Sequence, residues 1–220
     1  IVVPRRADSP VAELACAGLA TIALRSPSHP LARDLLAAFG GPVVAPSANR
    51  SGHVSATTAA HAAADLEGAV DLILDGGPSA VGLESTIVAI DADGRATLLR
   101  PGAIARDAIE AVTGLLATPA ANTIAAPGMM ESHYAPRARI VLDVSTPPAS
   151  GAYLAFGAPA PAGGLTLSAS GDLTEAAANL YAHLRALDTT GADTIFVAPI
   201  PGGGLAEAIR DRLARAAAPR

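Results

Sequence analysis

The chain has 220 residues, which is enough for one large domain or two small ones. Half of the residues are apolar but only 3% are aromatic, and the net charge is -5, so base stacking or a dominant phosphate-backbone surface is not expected. Cys16 is the only cysteine, which excludes disulfide scaffolds and cysteine-based zinc sites. The single cysteine is typical of a protein of the reducing cytoplasm. No apolar run could span a bilayer, so we also expect a soluble protein without a membrane partner.

Strands and helices alternate along the first part of the chain. Apolar runs bounded by turn residues predict strands at residues 1–3, 21–24, 43–44, 70–74, 85–90 and 96–99. Helical spacing and capping residues predict helices at residues 9–18, 31–39, 58–66 and 104–112. Residues 70–74 are expected to be a buried strand. This alternation is typical of an α/β layer domain.

The pattern changes between residues 119 and 139, where prolines and glycine interrupt a segment without a sustained period. We interpret this segment as an interdomain linker. Beyond it, strands are predicted at residues 140–143, 152–156, 165–167 and 194–198, and helices at residues 174–187 and up to residue 217. The sequence therefore predicts a second, smaller α/β unit.

The segment from residue 43 to residue 55 has many small polar side chains. Its valines stop at Pro46, and three serines, Asn49 and Arg50 follow within ten residues. Hydroxyl and free backbone N–H groups in such a loop suit an anion such as a phosphate. A strand, a turn and a helix cap would explain the same residues, so the segment alone leaves both interpretations open.

Other polar residues lie where predicted strands begin or end. Arg25 and Arg100 each follow a strand and suit a carboxylate or a phosphate, although a solvated surface arginine at 25 and a turn arginine at 100 are the commoner explanations. The Glu84-Ser85 pair opens another strand, where a hairpin edge is the alternative. The His133-Tyr134 pair lies in the linker, where no core requires such side chains, and this favours a functional role.

Three further features favour a structural role over a ligand-binding or metal-binding one. The glycines at 202–204 lack a P-loop lysine and the spacing of a dinucleotide motif, so we interpret them as a turn. The five histidines lack paired ligand spacing, which predicts no protein-held transition metal. Asp211, Arg212 and Arg215 on the closing helix predict a solvated or salt-bridged face.

Taken in order, the motifs resemble those of the threonylcarbamoyl-AMP synthase family, the YrdC-type enzymes of tRNA modification, in their longer two-domain form. The order and spacing of the motifs over nearly the whole chain carry this resemblance. The matching stretches are residues 21–25 with His29, 45–49 with Ser51, Gly52 and Ser55, 84–86, 100–102, 127–129 with 133–136, and 211–213.

The resemblance implies a nucleotidyltransferase that forms threonylcarbamoyl-AMP and pyrophosphate from L-threonine, bicarbonate and ATP. A separate tRNA threonylcarbamoyl transferase complex would use the product, and weak tRNA binding is also expected. Mg²⁺ is expected to arrive on the ATP phosphates, with few protein ligands of its own. Because the reaction needs alignment and charge neutralisation more than a nucleophilic side chain, no catalytic residue is assigned.

Carried over by position, the resemblance also implies the binding residues. Those expected to contact ATP are Thr21, Ser47, Asn49, Ser55, Arg100, His133 and Tyr134. Those expected to hold L-threonine are Arg25, Ser85 and the backbone of Ala45. His133 and Tyr134 would close over the nucleotide as a lid.

The implied fold is a YrdC-type twisted open mixed sheet with helices over residues 1–118, a linker over residues 119–139, and a small Rossmann-like α/β domain over residues 140–220. The first domain is expected to be incomplete, since the family's early basic motif is absent. Two other departures are Ala56 in place of a proline and the non-basic residues 130–132 in the linker.

Two other functions are weighed against the enzyme. The alternative is a nucleotide- or RNA-binding module that lacks full catalytic activity because the basic motif is missing. A carbamoyltransferase accessory of the hydrogenase-maturation type is disfavoured, because the chain has no zinc-finger cysteines.

Overall fold

The computed structural model describes residues 1–119 and 132–219, which contain two four-stranded sheets. The strands are β1 (Val2–Pro4), β2 (Thr21–Ala23), β3 (Ile87–Ile90), β4 (Ala96–Arg100), β5 (Arg139–Val141), β6 (Ala152–Ala155), β7 (Leu165–Thr166) and β8 (Thr194–Val197). The helices are α1 (Pro30–Phe39), α2 (Ala59–Leu66), α3 (Arg106–Thr113), α4 (Leu173–Thr189) and α5 (Leu205–Ala217). The predicted α/β class is confirmed.

The first sheet is mixed and has the strand order β2-β1-β3-β4. Strand β1 runs antiparallel to β2 and parallel to β3, and β3 runs antiparallel to β4. Ile87 at the start of β3 faces Arg100 at the end of β4. The residues that precede β3 and follow β4 therefore meet at one edge of this sheet.

The second sheet is entirely parallel and has the order β5-β8-β6-β7. Helices α4 and α5 close one core against it, in which Leu154, Leu180, Ile195 and Ile209 are fully buried. The side chain of Asp172 caps α4 by accepting hydrogen bonds from the first backbone N–H groups of the helix. The strands and helices predicted for this half of the chain are confirmed.

Three predictions for the first half are wrong. Residues 43–44 and 70–74 form no strand in the described part of the chain, and Val44 and Leu72 are 71% and 75% exposed. A strand needs a neighbour for its backbone hydrogen bonds, and neither segment pairs with the outer strands β2 and β4. Residues 9–18 contain only a 3₁₀ turn, Glu13–Cys16, in place of the predicted helix.

The first unit, which contains the sheet of β1 to β4, and the second unit, which contains the sheet of β5 to β8, pack directly on each other. Val54 and Tyr134 belong to the core of the second unit, although Val54 lies in the chain of the first. Gly82 has a φ of +71°, and a Cβ there would lie 2.2 Å from the carbonyl oxygen of Ala177 in α4. The N–H of Ala135 donates to the carbonyl of Gly52 at 3.0 Å. None of the helices within the described ranges is both long and apolar enough to cross a membrane.

Candidate active site

A buried arginine marks the edge where β3 begins and β4 ends. Arg100 is 3% exposed, and its Nε and Nη2 atoms donate to the carbonyl of Ser85 at 3.1 and 2.9 Å. Gly102 lets the backbone after β4 pass close to the backbone before β3, because a Cβ at residue 102 would lie 2.4 Å from the backbone nitrogen of Thr86. Arginine stays charged even when burial lowers its pKa, as it does here. The sheet edge therefore holds a fixed cation beside Ser85.

Glu84 lies beside this cation and binds both units of the structure. Its Oε1 atom accepts the hydroxyl hydrogen of Ser55. Its Oε2 atom accepts from the hydroxyl of Tyr181 at 2.8 Å and from Nε of Arg212 at 2.7 Å. Burial acts to raise the pKa of Glu84, but the charge of Arg212 and the hydrogen bonds of Arg212, Ser55 and Tyr181 outweigh it and leave that pKa below its usual value. Glu84 is therefore ionised at neutral pH.

Arg212 on α5 holds the same sheet edge from the second unit. Its side chain is 0% exposed, and its Nη2 atom donates to the carbonyl of Pro101 at 2.9 Å. Nη1 lies 2.5 Å from the carboxylate of Asp211. Burial acts to lower the pKa of Arg212, but the attraction of its neighbours, Glu84 among them, raises it above the usual value. Of the two alternatives predicted for this helix face, solvated or salt-bridged, the structure has the salt-bridged one, and at Arg212 the salt bridge is buried.

The His133-Tyr134 pair lies against this network. Tyr134 is 1% exposed and has a φ of 60°, which is uncommon for a bulky residue. The guanidinium carbon of Arg212 lies 5.3 Å from its ring centroid, and the His133 ring meets it edge-on at 4.1 Å. Burial raises the pKa of the Tyr134 hydroxyl, although the charges of Arg212 and Arg100 and a hydrogen bond from Arg100 act to lower it. It is thus a neutral donor beside Arg100, with which it interacts electrostatically.

Asn49 connects the polar loop to this pair. It is 8% exposed, and its Nδ2 atom donates to the carbonyls of Arg50 and His53 at 2.9 and 3.2 Å. His53 forms a β-bridge with Ala135, directly after Tyr134. Within the described residues the Oδ1 atom of Asn49 has no partner. A buried acceptor, the Oδ1 atom of Asn49, thus remains available for a ligand.

Arg185 on α4 fixes the end of the polar loop. Its Nε atom donates to the carbonyl of Ser55 at 3.1 Å, and its Nη2 atom donates to the carbonyl of Val54. It also pairs with Asp65 of α2, whose pKa it lowers through its hydrogen bond. Sequence reasoning missed Arg185 and Tyr181, although their spacing of four residues places both on one face of α4.

The structure does not bring all predicted residues together. Arg25 follows β2 at the same sheet edge as Arg100, because Ala23 pairs with Val2 and Val2 with Ala89. Thr21 opens β2 at the opposite end, roughly 13 Å along the strand from Arg25. Ala45 and Ser47 lie in the loop and are exposed. Their assignment to ATP or threonine remains a prediction.

No three His, Cys, Asp or Glu side chains of the described residues lie close enough together to hold a metal ion. Glu84, the carboxylate at the centre of the network, already accepts three hydrogen bonds. These residues offer positioned donors and cations rather than a metal cage. Such an arrangement suits an anionic ligand that carries its own counterion.

Two family models match the two parts of the chain, and the similar curated proteins named below share one name. Residues 1–102 match the family described as "Telomere recombination" (Sua5_yciO_yrdC), and residues 104–218 match "Threonylcarbamoyl-AMP synthase, C-terminal domain". Threonylcarbamoyl-AMP synthase of Bacillus subtilis is 44% identical over 60% of this chain and 39% of its own length. That of Pyrococcus abyssi is 33% identical over 92% of this chain and 66% of its own, and that of Schizosaccharomyces pombe is 33% identical over 96% and 61%.

A solved structure agrees with these matches. Pyrococcus abyssi Sua5 in complex with L-threonine superimposes with a TM-score of 0.88 and 31% identity, over 98% of this chain and 69% of that one. The chain spans less than two thirds of the length of each of the three curated relatives. The first family match ends at residue 102 and the second begins at residue 104. The linker at residues 119–139 stays a prediction.

Proposed function

Because the chain belongs to the threonylcarbamoyl-AMP synthase family, we propose that it forms threonylcarbamoyl-AMP and pyrophosphate from L-threonine, bicarbonate and ATP. The amino group of threonine and bicarbonate give a carbamate with loss of water. An oxygen of that carbamate then attacks the α-phosphorus of ATP, and pyrophosphate leaves. The observation that supports this most is the buried polar edge at Arg100, with the buried Tyr134 hydroxyl beside it.

The described residues suit the needs of that reaction. Attack on a phosphorus atom requires alignment and neutralisation of charge rather than a nucleophilic side chain. Arg100 supplies a cation whose position the Ser85 carbonyl fixes. Its low exposure strengthens its attraction for a phosphate. Ser55 and Asn49 supply polar groups on a loop that Arg185 holds from the second unit.

The amino acid is proposed to lie at the same sheet edge. The Pyrococcus abyssi protein of known structure binds L-threonine, and we transfer that ligand to Arg25, Ser85 and the Ala45 backbone here. A guanidinium forks readily onto a carboxylate, and a serine hydroxyl suits the ammonium or the side-chain hydroxyl of threonine. Bicarbonate would then meet the amino group between these residues and ATP.

Mg²⁺ is proposed to enter with ATP. When bound, it would neutralise charge on the phosphates. The pair His133-Tyr134 is proposed to cover the nucleotide as a lid and to exclude water. In the cell the product would pass to a tRNA threonylcarbamoyl transferase complex, which implies a cytoplasmic location and at most weak binding of tRNA by this chain.

The test is release of pyrophosphate from ATP by the purified chain. Release should require both L-threonine and bicarbonate, and the variant Arg100→Gln should lose about a hundredfold in rate, since it removes the charge that neutralises the phosphates. If ATP binds but no pyrophosphate appears with all three substrates present, the chain is a nucleotide-binding module instead.

A further inference from the structure

The end of the polar loop is fixed by the second unit at three points. Val54 is 4% exposed and lies in the core that α4 and α5 form. Arg185 of α4 binds the carbonyls of Val54 and Ser55. The Ser55 hydroxyl binds Glu84, which Tyr181 and Arg212 hold in turn. The second unit thus restrains the backbone of Ser55, its hydroxyl group through Glu84, and the preceding residue Val54.

We propose that Glu84 is a positioning residue that sets the place and the polarity of the Ser55 hydroxyl and makes both depend on the second unit. This inference rests on the proposed function only for the identity of the ligands. Glu84 lies between Ser55 on one carboxylate oxygen and Arg212 with Tyr181 on the other. Arg212 also binds the carbonyl of Pro101, next to Arg100. Arg212 of α5 therefore contacts both the carboxylate that holds Ser55 and the backbone next to Arg100.

The number of hydrogens on Ser55 and Glu84 determines whether Ser55 donates to or accepts from a ligand. A serine hydroxyl has one hydrogen, and an ionised carboxylate can only accept. Ser55 gives its hydrogen to Glu84 and so presents oxygen lone pairs to a ligand. Lone pairs suit a donor, such as a ribose hydroxyl, the amino group of threonine or a cation, and they repel a phosphate oxygen. Ser55 is therefore assigned to a donor group of the ligands rather than to the phosphate oxygens.

Glutamine at position 84 would reverse this arrangement. Tyr181 and Arg212 both donate to Oε2, so an amide would turn its oxygen towards them and its NH₂ group towards Ser55. Ser55 would then have to accept, and its hydrogen would point elsewhere. The variant Glu84→Gln keeps the size of the side chain and changes what Ser55 offers to a ligand.

The experiment compares Glu84→Gln with Glu207→Gln in the whole chain. Glu207 is also on α5 and also crosses between the units, pairing with Arg106 at 2.7 Å, but it does not contact Ser55 or Glu84. Calorimetry with Mg²⁺-ATP and, separately, with L-threonine should show that Glu84→Gln weakens at least one affinity by about tenfold. Glu207→Gln should leave both affinities within about twofold of the unchanged chain.

Hydrogen exchange at the amides of residues 51–58 gives a readout that needs no ligand. Exchange there should be faster in Glu84→Gln and, to a smaller degree, in Tyr181→Phe, and unchanged in Glu207→Gln. Tyr181→Phe removes one hydroxyl and serves if Glu84→Gln does not fold. If the unchanged chain binds neither ligand, the proposed function fails, and exchange alone decides the inference. Exchange and affinities in both variants that match those of Glu207→Gln would overturn it.

Discussion

Arg212 contacts Glu84, the carbonyl of Pro101 and the ring of Tyr134. Replacing one partner of a buried ion pair leaves the other charge uncompensated, so Arg212→Met should lower the free energy of unfolding by about 3–5 kcal/mol. Tyr181→Phe removes a single hydrogen bond to Glu84 and should cost about 1 kcal/mol. Urea unfolding followed by circular dichroism measures both, and equal stability of the two variants would contradict the described network.

Gly82 tests how closely the first unit approaches α4. A methyl group there would lie 2.2 Å from the carbonyl oxygen of Ala177, so Gly82→Ala should destabilise the chain by about 3 kcal/mol or more, since the backbone must move as well. Gly77 also has a positive φ, but no atom lies within 4 Å of the place that a methyl group would take, so Gly77→Ala should cost only about 1 kcal/mol of backbone strain. Thermal melts of the two variants that coincide would exclude this contact.

Sequence reasoning found some of these residues and missed others for a physical reason. Arg100 and Tyr134 stand out because a cation at a strand end and an aromatic in a linker need an explanation. Arg212 and Arg185 lie on helices, and a charged helix residue looks the same in the sequence whether it is buried or exposed. Their roles depend on Glu84 and Asp65, which are more than a hundred residues away in the chain.

Among the secondary-structure elements, residues 70–74 differ most from the sequence prediction, because they were predicted to be a buried strand and form no strand. Leu72 is 75% exposed, so Leu72→Ser should change the free energy of unfolding by less than about 0.5 kcal/mol. Leu154 in β6 is fully buried, and Leu154→Ala should cost about 2–5 kcal/mol. Denaturant titration of both variants distinguishes them. A loss for Leu72→Ser as large as that for Leu154→Ala would restore the predicted buried strand.

The two halves of the chain were not equally predictable. In the second unit all four residues of β6 are buried, so a continuous apolar run marks this strand well. Helix α4 also carries its own capping residue, Asp172. In the first unit, whether a short apolar run becomes a strand depends on a distant neighbour, and residues 43–44 and 70–74 pair with none of the described strands. Residues 127–129 of the linker motif lie outside the described residues.

At the scale of the whole molecule, acid should destabilise the chain in two steps. Burial lowers the pKa of His61, His133 and His183 below the ordinary 6.5, so the unfolded chain binds more protons and stability falls as the pH drops through that value. The pKa values of Asp65 and Glu84 are also lowered, so their contribution is lost as the pH falls below 3.8 and 4.5. Urea midpoints from pH 8 to 3 measure this.

One variant checks the first step. His183→Gln removes a half-buried imidazole whose Nδ1 atom has no partner among the described residues. The urea midpoint of this variant should fall less between pH 7.5 and pH 5.5 than that of the unchanged chain. An identical fall in both chains would show that His183 does not contribute to the acid sensitivity.

The two units form one site at this scale, because residues of both surround Glu84. The proposed formation of threonylcarbamoyl-AMP at this site can be tested by mass spectrometry of the product. The chain is incubated with Mg²⁺-ATP, L-threonine and ¹³C-labelled bicarbonate. We expect a threonylcarbamoyl adenylate that carries the ¹³C label and is absent when threonine is left out. Bound ATP without any labelled adenylate would contradict it.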